Sequence, residues 1–239
     1  MSSVDKVYKR PRKFRSKRKK TKNARQDQRL KMLEKTVFTA LERKELNWQD
    51  GTWNVSTGGT IINNSNSNLL YQAQGVSNED RIGNEIMLKD IILNFNLSIP
   101  DLGDAFNQVR MIVVEPKEGN VNLVLGDVLQ YADMTIWDVG QVMCSPYRSA
   151  NDLNNKKYKV HYDKVFELNA YGRRCETGQV RIKYGKYGKK VEFAENESTG
   201  DGITGDPVNH NLHVMIISDS TQTLHPQFAL NSRAHYFDA

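Results

Sequence analysis

Residues 85–99 read EIMLKDIILNFNLSI and are followed by Pro100. From Ile91 onward the pattern has a period of two. Ile91, Leu93, Phe95, Leu97 and Ile99 share one parity, while Ile86, Leu88, Ile92, Asn94 and Asn96 share the other. Such alternation marks a strand with one face in a core and one in water. Pro100 cannot donate to a ladder and ends the strand. A parallel strand buried on both faces would instead be apolar without a break.

Working outward, the same signal recurs. Residues 108–115, QVRMIVVE, form a second strand closed by Pro116-Lys117-Glu118-Gly119. Residues 157–168, KYKVHYDKVFEL, alternate again. Residues 179–193 read as a hairpin: Val180, Ile182 and Tyr184 face one way, Arg181 and Lys183 the other, and Gly185-Lys186-Tyr187-Gly188 supplies a turn or bulge before Val191 and Phe193 on the return. Leu212 to Ile217 and Phe228 to Phe237 complete the set. Segment 47–80 reads as short strands joined by loops. Segment 120–155 is mixed, with a short helix or single helical turn between Val121 and Leu129 and a long loop from Cys144 to Asn155. About eight strands at irregular spacing, with almost no helix after residue 46, predict an all-β antiparallel sandwich of eight strands.

The N-terminal region differs in kind. The 239 residues carry a formal charge of +6. Residues 1–25 alone carry +11, from Lys6, Lys9, Arg10, Arg12, Lys13, Arg15, Lys17, Arg18, Lys19, Lys20, Lys22 and Arg25 against Asp5; residues 26–239 carry −5. A charge block of that density cannot bury enough apolar surface to order itself, so 1–25 is expected to be a disordered basic arm. Residues 26–46 follow as a helix or linker, with Leu30, Leu33, Val37 and Leu41 on one face. The β-branched Thr36, Val37 and Thr39 weaken its last part, which reads equally as the start of the first strand. Residues 47–239 form a single β domain.

The arm has the clearest chemistry. Lysine and arginine at this density bind a polyphosphate through counterion release, strongly and without reading sequence. Its twelve cations are therefore the predicted nucleic-acid-binding residues. Tyr8 and Phe14 offer stacking surfaces for exposed bases. Residues 9–20, KRPRKFRSKRKK, also fit a nuclear localisation signal. A second basic and aromatic patch, Lys183, Lys186, Lys189 and Lys190 with Tyr184 and Tyr187, reads either as a contact for nucleic acid or an anionic receptor, or as a wet sheet face with a lysine-blunted edge.

Catalytic and metal signals are weak. Gly200-Asp201-Gly202-Ile203-Thr204-Gly205 fits G-x-G-x-x-G, but it sits between an acidic loop and Asp206-Pro207 rather than between a strand and a helix. His210 and His213 are three apart, which on a strand sends them to opposite faces. Asp101 and Asp104 read as a polar turn. A constellation of histidines and carboxylates inside the barrel would mark an enzyme, and none is legible in the sequence. The expected catalytic, metal and cofactor sets are therefore empty. Cys144 and Cys175 read as free thiols. The sequons at Asn54, Asn63, Asn96 and Asn196 read as chance matches in an Asn-rich chain. No apolar run approaches the ~18 residues needed to span a bilayer, and the basic N-terminus lacks the apolar stretch of a signal peptide.

The order of segments resembles the capsid proteins of circovirus-like viruses, which carry circular Rep-encoding single-stranded DNA. The resemblance rests on the arm; on Leu41-Glu42-Arg43-Lys44 leading to Trp48-Gln49-Asp50; on Gln74-Gly75; on Arg81-Ile82-Gly83 followed by Glu85-Ile86; on Ile91-Ile92-Leu93-Asn94 and Val109 to Val114; and on Lys157-Tyr158 to Asp163-Lys164 with Phe166 and Leu168. It implies an eight-stranded jelly roll assembling as a 60-subunit icosahedral (T=1) shell around single-stranded DNA. It also implies no enzyme activity and residence in the virion, while the signal-like stretch 9–20 points to the host nucleus during assembly and an import receptor as partner. No motif names a host receptor. Small and satellite RNA virus coat proteins share the plan, which makes RNA cargo an alternative. A cellular nucleic-acid-binding β protein with a nuclear arm is a rival of another class, and an enzyme on a jelly-roll scaffold is a third.

Overall fold

The computed structural model describes residues 25–33, 43–62, 69–72, 74–75, 80–117, 123–132, 139–148, 158–193, 207–221 and 224–238. The chain forms two compact units, 1–41 and 42–239. In the first, residues 25–33 form helix α1, with Leu30, Met32 and Leu33 exposed. Val37 and Leu41 lie outside the described residues.

The second unit is a β-sandwich. Its strands are β1 (Arg43–Asn54), β2 (Thr60–Ile62), β3 (Glu85–Ser98), β4 (Phe106–Pro116), β5 (Tyr158–Asn169), β6 (Cys175–Lys183), β7 (Lys189–Glu192), β8 (His213–Ser218) and β9 (Gln227–Asp238). Two short helices, α2 (Leu125–Val128) and α3 (Val139–Met143), lie between β4 and β5. Strand β1 begins at Arg43, so 43–46 belong to the sandwich and not to a helix. Their +2 spacing turns Lys44 and Leu46 inward, and each residue pairs with β9 from Arg43↔Phe237 to Leu46↔Ala234. Buried Lys44 is satisfied by Asp238 Oδ2 at 2.9 Å and the Asp80 carbonyl at 3.0 Å.

One sheet runs β1-β9-β3-β6 with β7 also on β3; the other runs β2-β8-β4-β5, and the strand pairings are antiparallel. Nine hydrogen-bonded strands occur among the described residues, one more than the sequence reading, and the hairpin expected at 179–193 is absent. Strand β6 pairs with β3 from Ser98↔Cys175 to Asp90↔Lys183, and β7 continues in the same direction from Leu88↔Lys189 to Glu85↔Glu192. The chain does not turn back at Gly185–Gly188; it makes an outward loop opposite Lys89 and resumes the same line. Gly188 has φ +81, and a Cβ there would lie 2.6 Å from the Leu88 carbonyl oxygen, so this rejoining point needs glycine. Strands β6 and β7 are one interrupted strand in a jelly roll of eight strand positions. The chain crosses between sheets at every connection except β4–β5 and the β6–β7 loop.

The inter-sheet core takes Ile91, Leu93, Phe95 and Leu97 from β3, Val109, Met111 and Val113 from β4, and Phe228 and Leu230 from β9. Phe95 packs edge-on to Phe166 at 5.4 Å between ring centroids. Ile86 and Leu88 join this core although they have the opposite parity to Ile91. The pairing of β3 with β9 shifts register between Leu88 and Asp90. This bulge at Lys89 rephases the strand and keeps both halves facing inward.

A second apolar layer covers the other side of β4 and β8. Ile112, Val114, Met215 and Ile217 pack there against Leu123, Leu125, Val128, Leu129, Val142 and Met143 from the β4–β5 connection. Arg110, on this side of β4, is buried. It pairs bidentately with Asp163 at 3.0 and 2.8 Å and donates to the carbonyls of Val142, Met143 and Ser145 at the end of α3.

Candidate nucleic-acid interface

Of the twelve predicted arm residues, Lys6, Lys9, Arg10, Arg12, Lys13, Arg15, Lys17, Arg18, Lys19, Lys20 and Lys22 lie outside the described residues; Arg25 starts α1 and is exposed. The Gly200–Gly205 loop also lies outside them. Among the described residues, the wet face of the β1-β9-β3-β6 sheet gathers Arg43, Arg181, Lys183 and Arg233 around Glu45 and Asp90. The +2 periodicity of four strands fixes its composition in rows. Asn47, Arg233, Ile92 and Arg181 form one row; Gln49, Asn231, Asn94 and Gln179 form the next. The amide row is exposed, and Gln179 Nε2 donates to Asn94 Oδ1 at 2.8 Å.

Toward the arm-proximal end of β1 this face opens into a groove of about 290 Å³, lined by Arg43, Lys89, Asp90, Arg181, Lys183, Gly185 and Phe237. Four cations face one carboxylate. Asp90 is taken by Arg181 at 2.8 Å and His235 at 2.6 Å. Burial pushes its carboxyl up, but the hydrogen bonds from Arg181 and His235 outweigh that and hold it below the usual range. Arg43 and Lys183 have no ion-pair partner among the described residues. The Lys89 ammonium lies 5.1 Å from the centroid of the Phe237 ring. Burial, then the charge of Lys186, lowers the Lys89 pKa.

The basic patch expected at 183–190 is divided. Lys183 faces the groove and is exposed, with Lys186 and Tyr187 exposed on the outward loop. Lys190 is held by Glu85 at 2.7 Å and Glu192 at 3.0 Å. Lys189 and Tyr184 turn to a different site. Continuity of β6 with β7 causes this split, because the residues after Gly188 resume the sheet's alternation instead of returning beside β6.

That different site is a histidine and carboxylate cluster which the sequence did not reveal. Glu115, at the end of β4, receives His161 Nε2 at 2.7 Å from β5. Lys189 from β7 on the facing sheet bonds its other oxygen, and His210 Nδ1 lies 3.3 Å away. Tyr184 Oη lies 3.0 Å from His210 Nε2. Burial pushes the Glu115 carboxyl up, but His161, His210 and Lys189 together hold it well below the usual carboxylate range. Burial also keeps His210 below its ordinary value. Glu115 is thus saturated by the groups around it. The cluster joins β4, β5 and β7 through Glu115, His161, Lys189 and His210, a polar clamp between the sheets. Its members lie far apart in sequence, which is why no local motif announces it.

The remaining candidates separate. His213 faces the second apolar layer and accepts the Leu123 N–H at 3.1 Å, away from His210. Asp101 pairs with Arg174, while Asp104 accepts from Ser220 Oγ at 3.1 Å. Cys144 and Cys175 are free and exposed. Among the described residues no group of three or more His, Cys, Asp or Glu has metal-binding geometry, and no helix is long and apolar enough to cross a membrane.

The strand order defines a double-sheet jelly roll. No protein-family model and no curated protein matches the chain. Among solved structures, it is similar to a chain of Sacbrood virus of honeybee, at 9% identity and a TM-score of 0.30, covering 83% of this chain and 70% of that one. It is also similar to a chain from the full particle of Israeli acute paralysis virus heated to 63 degrees, at 8% identity and a TM-score of 0.30, covering 82% and 67%. The fold assignment rests on the strand order itself.

Proposed function

We propose that this chain is a viral coat protein that self-assembles into a closed icosahedral shell of 60 copies and packages single-stranded DNA through its basic arm. The observation that carries this reading is the union, in one chain, of a jelly roll with a separate charge block: +11 on residues 1–25 before a body of −5. Sixty arms would bring about 720 cations, enough to neutralise on the order of a thousand nucleotides. A body of opposite sign lowers the repulsion between closely packed subunits. The arm is directed inward to the genome, and its 9–20 stretch serves nuclear import before assembly. DNA as cargo is supported by the circovirus-like order of motifs.

The arm's role is tested by deleting residues 1–25 and measuring the absorbance ratio at 260 and 280 nm of the purified protein at moderate salt. Loss of co-purifying nucleic acid, with far-ultraviolet circular dichroism still β-type, is the expected result. Retention of nucleic acid by the truncated protein would remove the arm as the packaging element.

A further inference from the structure

We propose that the wet face of the β1-β9-β3-β6 sheet is a second nucleic-acid contact, a groove that holds a short run of single strand with its phosphates on Arg43, Arg181 and Lys183 and one base against Phe237. The proposal rests on the reading that this chain encloses single-stranded nucleic acid, and it adds a structured site to the arm.

Three features of the face favour this occupant. The first is the charge. Arg43 and Lys183 have no carboxylate partner among the described residues, whereas Asp90 is already held by Arg181 and His235. A polyanion crossing the groove therefore meets two unspent cations beside the shielded Asp90, and Glu45, in the same row of the face, is itself paired with His235 at 3.2 Å. The second is an aromatic ring among those cations. Phe237 is half-buried and outward-facing, and its π-face suits a base of any identity. The Lys89 ammonium now occupies one side of that ring. A base stacking there requires Lys89 to swing toward a phosphate, giving up the ring and its hydrogen bond to the Lys186 carbonyl for an ion pair. The third is the neighbouring amide row of Gln49, Asn231, Asn94 and Gln179. Side-chain amides present a donor and an acceptor together, the complement of an exposed base edge. The four strands span about 14 Å, room for more than one nucleotide.

The position of the groove fits the chain's covalent order. Arg43 is the first described residue of β1, eighteen residues after the last arm cation, Arg25.

The test uses the full-length protein, stripped of nucleic acid at high salt and reloaded with a thymidine 20-mer containing 5-bromodeoxyuridine. Irradiation, digestion and mass spectrometry then map the cross-links. The expected result is a cross-link at Phe237 in addition to those at Tyr8 and Phe14. Arg43→Gln with Lys183→Gln should lower the Phe237 cross-link at least fivefold while leaving the arm cross-links and the thermal melt unchanged. Both side chains are exposed, so this variant is expected to fold. A second variant, Phe237→Leu, should lose the cross-link and keep arm binding. Cross-links confined to residues 1–25 would overturn the groove and leave the coat-protein reading standing. Cross-links at neither place would overturn both. Displacement of the groove cross-link by a sulfated oligosaccharide at lower concentration than by unlabelled oligonucleotide would overturn nucleic acid as the occupant.

Discussion

The two sheets share one core but treat their other faces in opposite ways. Strand β8 of the β2-β8-β4-β5 sheet is buried along its whole length, and β4 is buried at nearly every position, because the β4–β5 connection lays a second apolar layer over them. Strands β3, β6 and β9 of the partner sheet alternate, and their wet face collects amides and cations. The capped sheet is sealed by buried polar anchors such as Arg110, and the open sheet is free to contact a ligand.

The sharpest way to break this contrast is to remove one arginine from each side. Arg110→Ala leaves the buried carbonyls of Val142, Met143 and Ser145 without their donor, while the exposed Asp163 keeps Tyr147, and should cost about 2–3 kcal/mol in urea denaturation. Arg181→Ala removes a half-exposed partner of Asp90 and should cost about 1 kcal/mol or less. Equal losses would deny that the two faces differ in burial.

A comparable effect comes from the apolar groups. Met215→Ala opens a cavity in the second layer and should cost about 2–4 kcal/mol. Ile92→Ala, on the open sheet's wet face, should cost under about 1 kcal/mol. A cheap Met215 substitution would mean that the β4–β5 layer is not packed against β8.

A pH dependence is expected on the capped side, at His213. Burial pushes His213 down to about 4, against 6.5 for a free histidine. Between those values the unfolded chain binds a proton that the folded chain refuses, so stability falls as pH falls through this window and levels off below it. The contribution is about 3 kcal/mol. His213→Gln, which keeps an acceptor for the Leu123 N–H, should flatten the slope measured by thermal melts from pH 7 to pH 4. An unchanged slope would assign the pH dependence to other groups.

Much of the sandwich was legible because alternation is local. The run from Ile91 to Ile99 shows its inward face without any partner, and the same holds for Val180 and Ile182. The bulge at Lys89 was not legible, since only pairing with β9 shows that Ile86 and Leu88 face the same way as Ile91. The in-line course of β6 and β7 was hidden for the same reason. Glycines at 185 and 188 suit a hairpin turn as well as an outward loop, and β3 decides between them. Buried Lys44 and the inward Lys189 were misleading, because a lysine in a list reads as surface until Asp238 or Glu115 is placed beside it. The basic arm was the plainest candidate site in composition. The groove at Arg43, Lys183 and Phe237 joins residues from separate strands and needed the sheet to assemble it.

Whether this jelly roll builds a shell is decided by electron microscopy of the full-length protein, with particle mass measured on the same sample. Sixty copies of a 27.4 kDa chain predict uniform closed particles of about 1.6 MDa. A monomer or small oligomer carrying bound nucleic acid, with no closed particle at any salt concentration, would contradict it.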